Sequence, residues 1–313
     1  MSTQPIRIGI VGVGKIARDS HLPVIRADPA FELVAAAGPD ADVPGVTGFA
    51  SLHAMLDGVP ELDAIAICTP PQVRYDIAHL ALLRGKHVLL EKSPCPSLVQ
   101  LEHLSGLAQG CGRTLYQTWH SQHARAVPLL ERTLCDRRLE RVRITWKEDV
   151  RQWHPGQDWL WEAGGYGVLD AGINALSILT RVISEPLLAR SARFYVPANC
   201  ATPITAELEL ATPSGVPVEA ALDFRHAGTP IWEIAFATDR GPLTLADGGA
   251  TLRLGHSAAP LEPPDLTAEY VAIYQRFAAL IAREQVEVDA RPLACVADLA
   301  LVAIHVTVPP FTP

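Results

Sequence analysis

The chain has 313 residues, 49% hydrophobic and 19% charged, a globular composition with length enough for two domains. Its net charge is -8 and no Lys or Arg run is long enough to follow a phosphate backbone, so nucleic acid is not an expected partner. No apolar stretch approaches the ~20 residues of a membrane span, and the first apolar run already holds turn glycines and is interrupted by Lys15 and Arg18, so a cytoplasmic protein without a secretory leader is expected.

Residues 6–11 are a short apolar run ending in glycines, the pattern of a buried strand. Residues 15–27 follow with helical spacing. Apolar runs at 31–37, 63–68, 87–90 and 114–118 predict further strands. Residues 72–84, closed by Gly85, predict a helix, as do 97–108, where Ser97 after Pro96 stands at a cap position. Strands alternating with helices predict a mainly parallel sheet with right-handed crossovers. The rhythm then changes. A helix is predicted at 124–134, a long strand at 139–150 and an amphipathic helix at 165–183. Runs at 187–196, 204–211, 216–224, 231–238, 242–246 and 250–254, separated by Pro- or Gly-bearing turns, predict a large, mostly antiparallel meander. Helices at 267–284 and 291–305 close the chain. The expected fold is thus an α/β Rossmann domain over 1–120 and an α+β domain with an open sheet over 121–313.

Cys68, Cys95, Cys111, Cys135, Cys200 and Cys295 are scattered without metal-ligand spacing, so reduced thiols and no metal are expected. The first chemical motif is Gly12-Val13-Gly14-Lys15-Ile16-Ala17, directly after the first strand. Gly12 permits a tight turn, Gly14 admits a pyrophosphate to the backbone, and Ala17 lets the helix pack closely on the strand. The helix start at Lys15 and Ile16 offers free N–H groups to the phosphates. The strand–turn–helix–strand context makes this a dinucleotide fingerprint. The loop after the second strand, Gly38-Pro39-Asp40-Ala41-Asp42, holds no Lys or Arg for a 2′-phosphate. Asp40 there is a candidate acceptor for ribose hydroxyls, or else a solvated turn residue, so NAD is favoured over NADP.

Ligands of open α/β sheets collect at the carboxyl ends of strands. The third strand ends in Thr69-Pro70-Pro71, a rigid loop suited to lie along a nicotinamide ribose. The fourth ends in Glu91-Lys92-Ser93-Pro94. Two opposite charges finishing an apolar strand are costly without a partner or a task. Lys92 could stabilise an alkoxide as hydride leaves, and Glu91 and Lys92, at a strand end in the crevice, are candidates to bind the cofactor.

With these motifs in place, the chain resembles the glucose–fructose oxidoreductase and inositol dehydrogenase (Gfo/Idh/MocA) family over essentially its whole length. Ser93 departs from the family's usual Glu-Lys-Pro. Asp170 and Asn174 lie four apart, on one face of the predicted helix, with Gly172 between them to let a ligand or facing domain approach. Family members carry Asp-x-x-x-His at this place, and the His often accepts the proton. Asn174 cannot titrate, so the resemblance implies that Asp170 is the base and that Asn174 orients the hydroxyl. The Asn, together with Trp-Lys-Glu-Asp-Val-Arg at 146–151, Trp-His-Pro-Gly-Gln at 153–157 and Trp119-His120-Ser121, resembles the bacterial D-galactose and L-arabinose 1-dehydrogenase branch of that family. The resemblance implies an NAD(P)-dependent oxidation of an anomeric hydroxyl to the lactone, with the sugar between the nicotinamide face and the second domain's sheet. A sugar site needs polar groups aimed at hydroxyls and aromatic faces under C–H patches. His120, Glu148, His154 and Trp232 are the candidates. The uncovered sheet face predicts a homodimer. The rival expectations are a dehydrogenase of another polyol, such as an inositol, and a non-catalytic sugar sensor.

Overall fold

A computed structural model describes residues 4–255 and 264–312. The chain divides into two units, one of Met1–His120 with Leu266–Asp289, the other of Ser121–Asp265 with Ala290–Pro313.

The first unit is built on strands β1 (Ile6–Val11), β2 (Phe31–Ala37), β3 (Thr47–Phe49), β4 (Ala64–Ile67), β5 (His87–Leu90) and β6 (Leu115–Gln117). They form one sheet in the order β3-β2-β1-β4-β5-β6, parallel throughout. All four residues of β4 are buried, as continuous apolar runs are in a sheet covered on both faces. Helices α1 (Leu22–Ala27), α2 (Leu52–Gly58), α3 (Pro71–Leu83) and α4 (Leu98–Gly110) connect the strands. A π-helical turn, Ala17–His21, leads into α1. Sequence periodicity misses β3 and α2. β3 is a three-residue edge strand with no buried residue, and α2 is two turns long, signalled only by its cap, where Ser51 accepts from the Ala54 N–H at 3.2 Å. Ser97 precedes α4 but makes no side-chain cap bond.

The second unit holds an eight-stranded sheet. Its strands are β7 (Leu139–Lys147), β8 (Leu188–Pro197), β9 (Thr205–Ala211), β10 (Pro217–Asp223), β11 (Ile231–Thr238), β12 (Leu243–Ala246), β13 (Thr251–Leu254) and β14 (Ala303–Val308). The order is β13-β12-β11-β7-β10-β9-β8-β14. The expected meander is therefore two antiparallel runs, β8–β9–β10 and β11–β12–β13, with β7 inserted between them, parallel to β10 and antiparallel to β11. Sequential strands need not be neighbours, and insertion of an earlier strand leaves no local signal.

Helices of this unit are α5 (Val127–Leu134), α6 (Val150–Trp153) and α7 (Leu169–Val182). The strand expected over 139–150 stops at Lys147, because Asp149 caps α6 by accepting from the Arg151 N–H at 3.1 Å. The helix expected from 165 starts at Leu169. Gly167 sits at φ +52, and a Cβ there would lie 2.2 Å from the Pro203 carbonyl oxygen.

Two corrections concern the end of the chain. Helix α8 (Leu266–Ile281) belongs to the first unit, whereas the sequence reading assigned all of 121–313 to the second. Its Tyr270, Ile273, Tyr274, Phe277 and Leu280 are buried in the core cluster with Ile8, Ile10 and Phe31. Helix α9 (Arg291–Val302) ends before residue 305, and the run Ala303–Val308 becomes β14, parallel to β8. The β-branched Ile304, Val306, Thr307 and Val308 favour an extended chain there.

Candidate active site

The phosphate-binding turn lies between β1 and the helical residues from Lys15. Gly12 adopts φ +86, and a Cβ on it would come within 2.8 Å of the Thr69 nitrogen. A Cβ on Gly14 would meet nothing within 4 Å, so the turn is open where a pyrophosphate would lie. Ala17 is fully buried and Ile16 packs against the core. Lys15 pairs with Asp19 one turn on. Beyond β2, Asp40 is exposed. Arg18 reaches this loop from the helix and donates to the carbonyls of Asp40 (3.1 Å) and Asp42 (3.3 Å). The loop's own residues include no cation; the fold supplies one from 22 residues upstream.

In the loop after β4, Thr69 Oγ1 is buried without a hydrogen-bond partner among the described residues. Such an orphaned hydroxyl beside an open phosphate turn fits a dinucleotide whose groups would complete it. Pro70 caps α3, and Pro71 is its first residue. The buried Arg74 of α3 donates to the Thr69 carbonyl (3.0 Å) and the Glu91 carbonyl (2.7 Å), and also to that of Ser93. It ties together the two loops expected to flank the nicotinamide. Arg74 was not among the sequence candidates, because a cation inside an α3 pattern reads as a surface residue.

Glu91 is 3% exposed. Its Oε1 accepts from His21 Nε2 (3.0 Å), the Tyr270 hydroxyl (2.6 Å) and Thr118 Oγ1 (3.1 Å), and its Oε2 from the Lys92 N–H (3.0 Å). His21 Nδ1 lies 2.7 Å from the Tyr274 hydroxyl. Burial works against both charges, yet neighbours outweigh it. Cys68 and Glu91 hold the His21 imidazole up at about 10, and His21 with Tyr270 holds the Glu91 carboxyl down at about 2. The pair is a buried imidazolium–carboxylate. Glu91, expected beside the cofactor, thus has its carboxylate engaged within the protein. That carboxylate is surrounded by protein donors, and it positions the Lys92 backbone. The Lys92–Ser93 peptide is cis. Lys92 itself is half-buried.

His120 opens a 3-10 turn after β6. Its Nδ1 donates to Glu269 Oε2 of α8 (2.7 Å), and its ring stacks on Tyr270 at 6.0 Å. Helix α8 thus backs both strand-end loops, through Tyr270 and Glu269. No sequence signal links a helix at 266 to a strand ending at 90.

Three of the four sugar-site candidates meet in the second unit. Glu148 is 3% exposed, just past the end of β7. Its Oε1 accepts from His154 Nε2 (3.1 Å) and its Oε2 from Trp232 Nε1 (2.6 Å). Trp232 stands beside Trp146 at 6.2 Å and meets Trp153 edge-on at 4.9 Å. His154 packs on Phe224 at 5.4 Å. The group is a carboxylate with two fixed partners, walled by indoles, and His154 and Trp232 are only partly covered.

Asp170 lies in the first turn of α7, 3% exposed, where the helix dipole favours a carboxylate. Asn174 follows one turn later and is half-buried. Gly172 has a different role from the expected one. A Cβ on it would lie 2.4 Å from Leu222 Cδ1, so the missing side chain lets β10 approach α7, not a ligand.

A parallel sheet in the order 3-2-1-4-5-6 with a phosphate turn after its first strand defines a dinucleotide-binding domain of Rossmann type. Residues 6–118 match the oxidoreductase family with an NAD-binding Rossmann fold, Gfo/Idh/MocA. The chain is 42% identical to galactose 1-dehydrogenase of Pseudomonas fluorescens, over 98% of its own length and 99% of the relative's. It is also similar to a D-galactose-1-dehydrogenase protein from Rhizobium etli, whose crystal structure gives a TM-score of 0.92 at 42% identity, covering 100% of this chain and 99% of that one. A 3-ketoreductase of Actinomadura kijaniata, solved with NADP and TDP-benzene, shares the fold at TM-score 0.85 and 19% identity, covering 97% and 100%. The chain belongs to the Gfo/Idh/MocA oxidoreductase family.

Proposed function

We propose that this oxidoreductase is an aldose 1-dehydrogenase, oxidising the anomeric hydroxyl of D-galactose, L-arabinose or D-fucose to the lactone. The observation that carries the reading is the Glu148–His154–Trp232 cluster, a polar group walled by indoles, in a chain 42% identical throughout to galactose 1-dehydrogenase. Carboxylate and imidazole suit sugar hydroxyls, and the indole suits a C–H face.

Asp170 takes the proton of the anomeric hydroxyl. Asn174, on the same side of α7, orients that hydroxyl. Lys92 stabilises the oxyanion that develops. The nicotinamide, when bound, supplies the hydride acceptor. His120, Glu148, His154 and Trp232 bind the sugar. Gly12, Gly14, Lys15, Ile16, Thr69, Pro70 and Pro71 hold the dinucleotide, with Asp40 at its ribose. NAD is preferred, because Asp40 and Asp42 disfavour a 2′-phosphate, and Arg18 against that loop keeps NADP as the alternative.

The protein works in the cytoplasm as a homodimer. The outer face of the eight-stranded sheet carries Arg143 paired with Glu219 (3.2 Å) and Ser191 donating to Glu209 (2.7 Å), a mixed-charge surface suited to a two-fold copy of itself. Sedimentation as a monomer at micromolar concentration would remove the dimer.

The test is NADH formation with a panel of aldoses and inositols. D-Galactose and L-arabinose are expected to give turnover. Turnover with inositols alone moves the protein to a polyol dehydrogenase, and none with any sugar makes it a sensor. Lys92→Ala and Asp170→Ala are each expected to lower kcat by about 10²–10³-fold with the fold retained. Near-full turnover in either removes that residue's role.

A further inference from the structure

The turn between β12 and β13, Asp247–Gly249, lies beside the same indoles that wall the sugar cluster. The β11–β12 register ends with Ile234 paired to Leu245, and Asp247 opens the turn directly after β12. The β7–β11 register sets Trp232 across from Trp146. Residues paired across strands share a face, so Trp232 and Trp146 stand side by side at the end of the sheet where this turn lies. The residue after Asp247 shows how close the turn comes. A Cβ on Gly248 would lie 3.9 Å from Trp146 Cη2 and 4.0 Å from Trp232 Cε3.

Two features set Asp247 apart from an ordinary turn residue. Its φ is 53, and Gly248 and Gly249 follow at 65 and 107. The two glycines take that conformation without a Cβ penalty, whereas Asp247 holds it with a side chain in place. The turn is pinned from the other side as well, since a Cβ on Gly249 would come within 2.7 Å of Ala124 Cβ. The second feature is chemical. Asp247 Oδ2 is buried and has no hydrogen-bond partner among the described residues. A buried carboxylate oxygen without a donor costs free energy, and a ligand that brings the donor removes that cost.

A sugar ring carries both complements, a C–H face for the indole and a hydroxyl for the carboxylate. We propose that Asp247 is a further sugar-binding residue, its Oδ2 accepting a hydrogen bond from a ring-substituent hydroxyl of the aldose held against Trp232. This rests on the aldose reading above. The reacting hydroxyl is assigned to Asp170 and Asn174, so Asp247 governs affinity and the choice among sugars, not the chemical step. A site built around a hydroxyl discriminates against sugars that lack it, because its acceptor is then left unpaired.

The experiment is a titration with D-galactose, L-arabinose and D-fucose of the wild type, Asp247→Asn and Asp247→Gly. It is read by tryptophan fluorescence, by initial rates of NADH formation and by melting temperature. Asn and Gly both tolerate the left-handed backbone, so each variant removes the carboxylate without breaking the turn. At least one of the three sugars is expected to lose about tenfold or more in half-saturation and KM in both variants, with kcat within about twofold. Half-saturation within twofold of wild type for all three sugars overturns the role of Asp247 alone. Loss of the melting transition in both variants overturns it in favour of a purely structural carboxylate. A wild type that responds to no sugar by fluorescence or turnover overturns the aldose reading, and this role with it.

Discussion

Glu91 and Glu148 each follow a strand, β5 and β7, and each is 3% exposed. Their surroundings differ. Glu91 has three side-chain donors on one oxygen and a backbone N–H on the other, all from the fully packed interior of the first unit. Glu148 has one side-chain donor per oxygen, and both donors, His154 and Trp232, reach toward the surface. A strand-end carboxylate is thus a fastener when the fold saturates it, and a binding group when its partners lead outward. The first case holds Lys92 in place; the second forms the wall of the proposed sugar site.

The largest effect should come from unbalancing the fastener. Glu91→Ala leaves the His21 cation buried without its carboxylate and should cost about 3–5 kcal/mol, read as a shift of the urea midpoint at unchanged slope. Glu148→Ala strips an acceptor from an indole N–H and an imidazole, which costs about 1–3 kcal/mol, and it should raise KM for the aldose as well. If Glu148→Ala proved as destabilising as Glu91→Ala with KM unchanged, the contrast between the two would collapse.

The pH profile of stability sharpens the same contrast. Glu91 is depressed to about 2 from the ordinary 4.5, so its contribution is present above pH 4.5 and is lost as the pH falls toward 2. His21 is raised to about 10 from 6.5, so its contribution is whole below pH 6.5 and is lost as the pH rises toward 10. The pair should therefore stabilise most between these limits. Urea midpoints at about pH 3, 5.5 and 9 should show a maximum at the middle value. The double variant His21→Phe/Glu91→Leu should flatten that part of the curve, and an unchanged profile there would detach the pair from it. Gly172→Ala, which crowds Leu222, should cost about 1–3 kcal/mol, no more than Glu148→Ala, and should leave KM unchanged. Leu222→Ala in the same chain should restore part of it, by thermal melting.

Much of the first unit was legible because its cues are local. A buried parallel strand is a continuous apolar run, and the phosphate turn needs glycines at fixed offsets, so β1, β2, β4, β5 and the Gly12–Ala17 motif stand out in the chain itself. Glu148, His154 and Trp232 were legible through residue type and resemblance, yet nothing in their spacing brings 148 beside 232. Asp247 had no signal beyond an Asp-Gly-Gly turn. Arg18 and Arg74 were passed over because a cation on a helix pattern reads as solvent-facing until the fold buries it or turns it to a loop.

By itself the sequence determined the alternation of elements, the nucleotide-binding turn and the residue types a redox sugar site requires, since periodicity, glycine geometry and side-chain chemistry act within a few residues. Only the tertiary structure decided that β7 inserts between two later runs, that α8 returns to the first unit to fasten Glu91 and His120, and that Gly172 serves packing. Those outcomes depend on contacts between segments far apart in the chain, where burial and donor–acceptor pairing are set by which surfaces meet.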